Sequence, residues 1–202
     1  MANDQGLGLG LYPIRQPFGA MPIAYYRANT AQNIFRYQPM TVNNSGQAEV
    51  AAIGDLNTMV GTCMGFLDLN EASLPSGITT LTQAAYLPSG TDAYVAITVD
   101  PNQQYMMEAD TGGSANVAFT QIGNTCGFTY SGTTGNTTTG ISNALLDASD
   151  AAADSGGTLR IINLADNVNR DGTINTSSAN FCKVIVKIDK SAFGPTTLAT
   201  GF

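Results

Sequence analysis

The sequence predicts an all-β protein, a small β-barrel or sandwich with one short helix and an extended N-terminal arm. Charged residues make up only 11% of the 202 positions, against roughly 25% in an average globular chain, so Thr, Ser, Asn and Gln must supply most of the polar surface. The 22 Gly and 8 Pro punctuate the chain too often for long helices. Between these breaks recur runs rich in Val, Ile, Tyr and Met, residues that suit a pleated, half-buried surface. The length suffices for one sizeable core without disulfide support.

Residues 1–48 read as the arm. Pro13, Pro17, Pro22 and Pro39 interrupt any regular helix or central strand. Between Asp4 and Glu49 stand Arg15, Arg27 and Arg36 and no acid, a positive stretch in a chain of formal charge −7. The aromatics Tyr12, Phe18, Tyr25, Tyr26, Phe35 and Tyr37 are interspersed. Such a segment lacks an evident fold of its own and is expected to be held by a partner or a neighbouring subunit, where Tyr and Arg act as anchors. The alternative is that it wraps its own barrel and fills a hydrophobic groove there.

Residues 49–202 read as the barrel domain. Strand-like runs lie at 49–56, 58–69, 92–100 and 103–110, bounded by turns such as Leu87-Pro88-Ser89-Gly90 and Asp100-Pro101-Asn102. In the third run Tyr94, Ala96 and Thr98 oppose Val95, Ile97 and Val99, the alternation of a half-buried strand. A low-complexity Thr/Gly loop follows at 130–140. The spacing of Ala144, Leu145, Ala148, Ala151 and Ala152 then predicts a helix over 142–154, stopped by Gly156-Gly157. Two closing strands are expected at 158–164 and 181–189; in the second, Cys182, Val184, Val186 and Ile188 form one apolar face.

Several functions are disfavoured by what the chain lacks. Without any His, neither a Ser-His-Asp triad nor a His-containing zinc site can be built within it, and no catalytic residue is expected. Cys63, Cys126 and Cys182 are odd in number and far apart, so they read as small buried hydrophobes in strands. The Gly6–Gly10 stretch, GLGLG, lacks the spacing and the strand–helix setting of a phosphate-binding loop, and no cofactor is expected. The acidic balance argues against a nucleic-acid partner. No apolar run reaches membrane-spanning length and no basic segment opens the chain, so neither a membrane partner nor an export signal is expected. The turn at 167–173 places oxygen side chains at alternate positions before Gly172, yet Ser178 stands where a calcium loop needs Glu, so it reads as a polar turn. Asp147, Asp150 and Asp154 read as the solvated row of the expected helix, and no metal site is assigned.

From residue 90 onward the sequence resembles the capsid decoration, or cement, proteins of tailed bacteriophages. The resemblance is carried by AYVAITVDPNQQY at 93–105, AFTQIGNTC at 118–126, Gly140-Ile141-Ser142 leading into Leu145-Leu146-Asp147, and KVIVKID at 183–189. It implies a non-enzymatic, structural virion protein on the outer surface of an icosahedral capsid, where it stabilises the shell. It further implies that the partners are the major capsid protein and copies of the chain itself, as a trimer. In that picture the 49–202 barrel projects outward and the 1–48 arm grips the shell. Arg15, Arg27 and Arg36 would meet capsid carboxylates and the arm's aromatics would fill apolar recesses. The alternative reading is a receptor- or glycan-binding module of a phage tail or fibre, using the 130–140 loop.

Overall fold

A computed structural model describes residues 9–15, 21–53, 59–68, 85–110, 117, 119–151, 157–165 and 182–192. In chain order the strands are β1 (Tyr12–Arg15), β2 (Ile23–Arg27), β3 (Ile34–Phe35), β4 (Pro39–Val42), β5 (Ala48–Val50), β6 (Gly61–Asp68) and β7 (Tyr86–Leu87). They continue with β8 (Ala93–Thr98), β9 (Gln104–Glu108), β10 (Thr125–Cys126), β11 (Phe128–Gly135), β12 (Ser142–Leu146), β13 (Leu159–Leu164) and β14 (Lys183–Ile188). Each strand ladder among the described residues is antiparallel, with four isolated parallel bridges outside the ladders. One five-stranded sheet runs β1-β9-β14-β13-β10 and the other β2-β8-β6-β4-β5, with two-stranded ribbons β11-β12 and β3-β7 beside them. Among the described residues neither sheet's ladder of strands closes on itself, so the fold is of the sandwich type and the barrel is not closed.

Two apolar clusters hold these layers. The first joins Tyr105, Met107, Ile161, Val184 and Val186 of one sheet to Phe128, Ala144 and Leu146 of the β11-β12 ribbon. The second joins Cys63, Phe66, Val95 and Ile97 to Ile34, Met40 and Leu87. Each Val, Leu, Ile, Phe or Met among them, once fully buried, contributes about 1.5–3 kcal/mol. The two sheets are tied where β8 hands over to β9: the hydroxyls of Thr98 and Tyr105 share a hydrogen bond of 2.8 Å, and the Thr62 N–H donates to Thr98 Oγ1 at 3.0 Å. Both residues are fully buried, so this polar link is satisfied inside the fold.

The described part of residues 1–48 is not an arm apart from a barrel, and 48 is not a boundary. β1 pairs with β9, β2 with β8, and β4 with both β5 and β6. The reason is apolar: Ile34, Met40 and Ala48 complete the second cluster, which the later strands alone would leave open to water. The prolines are accommodated by position. Pro39 is the first residue of β4, and Pro13 lies in an edge strand where the register slips between Pro13 and Arg15, so neither missing N–H is demanded by a central ladder.

The helix expected over 142–154 is a second correction. Residues 142–146 are the strand β12, Ala148–Asp150 form one 3-10 turn capped by Asp147, and 152–154 lie outside the described residues. Phe128 and Tyr130, opposite Leu146 and Ala144, supply a strand partner that helical spacing cannot register. The 130–140 stretch correspondingly is not all loop, since β11 extends through Gly135. The β8 strand, expected to be half-buried, is buried on both faces: Val95, Ala96, Ile97 and Thr98 are all nearly inaccessible. In β14 the alternation holds, with Val184, Val186 and Ile188 inward.

Candidate functional site

Two features stand out on the surface, an edge strand with exposed apolar side chains and a polar groove. The edge belongs to β2, which pairs in unbroken register with β8, from Ile23 opposite Thr98 to Arg27 opposite Tyr94. On either side of that run the Pro22 carbonyl accepts from Val99 N and the Ala28 N–H donates to Ala93 O. Antiparallel pairing alternates, so the backbone groups of Ala24 and Tyr26 also face β8, while those of Ile23, Tyr25 and Arg27 face away. Among the described residues no strand pairs with β2 on its other side; just past its end Ala28 bridges Ala48 of β5, and Asn29 N donates to Ala48 O at 2.7 Å, so the open stretch is the 23–25 end. Ile23, Tyr25 and Arg27 also carry the exposed side chains of the strand, Ile23 at 39% and Tyr25 at 37%. Free backbone donors and acceptors, flanked by apolar side chains, form a template for an added strand.

β1 is the edge of the other sheet and shows Tyr12 and Ile14, both exposed. Its proline and its slipped register make it a poorer template than β2. Tyr12 packs edge-on against Tyr37, with ring centroids 4.8 Å apart. Tyr37 holds a left-handed backbone, φ 60°, a conformation that costs a non-glycine residue about 1–2 kcal/mol. Its N–H donates to Cys63 O and its carbonyl accepts from Leu11 N, each at 2.7 Å, and these bonds hold it there. Partial burial and the neighbouring Tyr12 raise the Tyr37 phenol above its ordinary pKa.

The residues expected to act together are therefore divided. Tyr12 and Tyr37 form one exposed-to-half-buried pair, and Tyr25 stands on β2 with Arg27 two residues on. Arg27 is not open for an outside carboxylate: its guanidinium grips Asp92 through two hydrogen bonds, which lower the Asp92 pKa and raise that of Arg27. Tyr26 packs against the second apolar cluster. Phe35 is buried at 2% exposure and Arg36 is half-buried, its backbone joined to Gly140 and Ser142. Arg15 ends β1 opposite Gln104, and Phe18 lies outside the described residues, as does the 167–173 turn.

The groove, about 350 Å³, lies where the β11-β12 ribbon meets the β3-β7 ribbon. Beneath it Phe35, almost wholly buried, is stacked on Tyr86 with centroids 5.2 Å apart. Gly135 lets the ribbons close over this ring, because a Cβ there would stand 2.2 Å from a Phe35 ring carbon. The walls are amides and hydroxyls, including Asn33, Thr134, Asn136, Thr137 and Asn143, and among the described residues no charged side chain lines it. Sequence reasoning pointed to this loop but missed that it is half strand and that Asn33 and Phe35 come from the N-terminal segment. Alternating Phe128, Tyr130 and β-branched Thr133-Thr134 was the available signal.

Of the acidic row, Asp147 and Asp150 serve structure, and Asp154 lies outside the described residues. Asp147 accepts from Ser149 N and Oγ, and Asp150 from Gly127 N. Among the described residues no group of three His, Cys, Asp or Glu could hold a metal, and no helix is long and apolar enough to cross a membrane. Cys63, Cys126 and Cys182 are buried and free; burial pushes the Cys63 thiol up to about 12. Compared with protein-family models, curated proteins and solved structures, the chain matches none.

Proposed function

We propose that this chain is a non-enzymatic virion protein that binds the exterior of an icosahedral phage capsid and cements the shell. The observation that carries the docking mode is β2: a regular edge, with no second strand partner among the described residues, whose outward backbone groups sit beside exposed Ile23 and Tyr25. An extended segment of the major capsid protein, or of a second copy of this chain in a trimer, adds to that edge. Backbone hydrogen bonds supply the attachment, and the apolar side chains on either side exclude water from it. Capsid as the partner rests on the resemblance of 93–105, 118–126 and 183–189 to decoration proteins. Repetition over one shell multiplies a modest contact, and binding only the assembled shell stabilises it by mass action.

Protein composition of purified particles tests this reading. Near-stoichiometric amounts relative to the major capsid protein in filled and emptied heads, with none in separated tails, are expected. The tail or fibre module, favoured by the polar groove, predicts the reverse: few copies, travelling with tails. Tyr25→Pro removes one outward N–H of β2 and should release the protein from heads while the fold persists; undiminished occupancy would overturn strand addition at β2.

A further inference from the structure

We propose that the groove between the β11-β12 and β3-β7 ribbons is a binding site for a neutral saccharide unit, a function beyond shell attachment and independent of where the chain sits in a particle. The argument starts from how its amides are held. Asn33 Oδ1 accepts from Ser89 N at 2.8 Å, and Asn136 Oδ1 accepts from Thr138 N at 2.8 Å and from Thr139 N at 3.1 Å. Backbone N–H groups can only donate, so these bonds settle which amide atom is oxygen and turn each Nδ2 away as an oriented donor. Asn143 is held the opposite way: its Nδ2 donates to the Thr133 carbonyl at 3.2 Å, which leaves Oδ1 as an oriented acceptor. Among the described residues none of these three remaining amide atoms has a partner.

The residues that line the groove thus carry two fixed donors, one fixed acceptor and the hydroxyls of Thr134 and Thr137. A sugar's hydroxyls both donate and accept, so this mixed set of donors and acceptors matches a saccharide ring. An uncharged lining offers nothing to balance a phosphate or carboxylate, which selects neutral sugars over acidic ones. The volume of about 350 Å³ lies at the small end of ligand sites, enough for one or two rings in an open groove. Because the amides are pinned by backbone bonds, little ordering is needed on binding.

The test uses the full chain and saturation-transfer NMR with the methyl glycosides of glucose, galactose, mannose and N-acetylglucosamine, and with methyl glucuronide as the charged comparison. At least one neutral glycoside should bind and compete out on addition of excess, and the glucuronide should bind more weakly. In the Asn33→Asp, Asn136→Asp double variant each retained oxygen still accepts its backbone N–H, while each free donor becomes an acceptor. That variant should fold as the parent does and bind the glycoside about tenfold more weakly or worse. Thr137→Val, on the exposed turn, is the second variant and should also weaken binding. No response to any neutral glycoside, equal response to the glucuronide, or affinity unchanged in both variants would overturn the proposal. Head composition is unaffected by any of these results, so the shell reading stands or falls separately.

Discussion

At the scale of single residues, close approach decides what a position tolerates. Gly61 opens β6 directly against β8, and a Cβ there would lie 1.8 Å from the Thr98 carbonyl oxygen. That oxygen is backbone, beside the buried Thr98–Tyr105 link, and has nowhere to move. Gly61→Ala should therefore destabilise the fold by about 3 kcal/mol, at the upper end of overpacking effects, seen as a lower urea midpoint with unchanged slope. Residue scale is also where the expected contact set changed most. Arg27 has Asp92, Phe35 lies buried beneath a groove, and Tyr26 faces a core. Residue type alone marked all three as anchors, because an aromatic or an arginine has the same identity whether it faces a partner or its own fold.

At the scale of elements, β2 makes a prediction through its alternation. Ala24→Pro removes an N–H that points at β8 and leaves the Ile97 carbonyl without its donor in a buried strand, which should cost about 1–3 kcal/mol. Tyr25→Pro, one residue on, removes an outward N–H and should change stability by less than about 1 kcal/mol, since edge strands accept proline. Chemical unfolding of the two variants side by side reads the difference; equal losses would mean that the outward groups of β2 are not free. The elements also show where sequence patterns were legible. The runs at 92–100, 103–110, 158–164 and 181–189 contain β8, β9, β13 and β14, because each combines β-branched or aromatic residues with clear turns. The 142–154 stretch failed because five alanines and leucines at helical spacing describe a buried strand as well as a helix when a partner such as β11 is present.

At the scale of the whole molecule, burial couples stability to alkaline pH. Desolvation raises the Cys63 thiol from 9.0 to about 12, and it raises Tyr105, Tyr130, Cys126 and Cys182 as well. The unfolded chain releases these protons first, so above about pH 9 it binds fewer protons than the native state and stability falls as pH rises. The contribution from Cys63 is complete below pH 9 and is lost progressively towards pH 12. Urea midpoints should drop between neutral pH and about pH 11, and Cys63→Ala should flatten that drop while lowering the midpoint at neutral pH. A midpoint insensitive to alkali would contradict the burial of these groups.

Sequence by itself determined the all-β class, the inward face of β14, the lack of any His-based site and the turns that separate the later strands. These depend on composition and on period-two alternation, which are local and survive without knowledge of what packs where. Only the tertiary structure decided that β2, β4 and β5 belong to the second sheet, that β12 is a strand, and that Asn33 and Phe35 meet Asn136 and Asn143 in one groove. Each of those outcomes is a pairing between segments far apart in the chain, chosen because it buries Ile34, Met40, Ala144 and Leu146 together with their partners, and local spacing carries no record of which partner will be there.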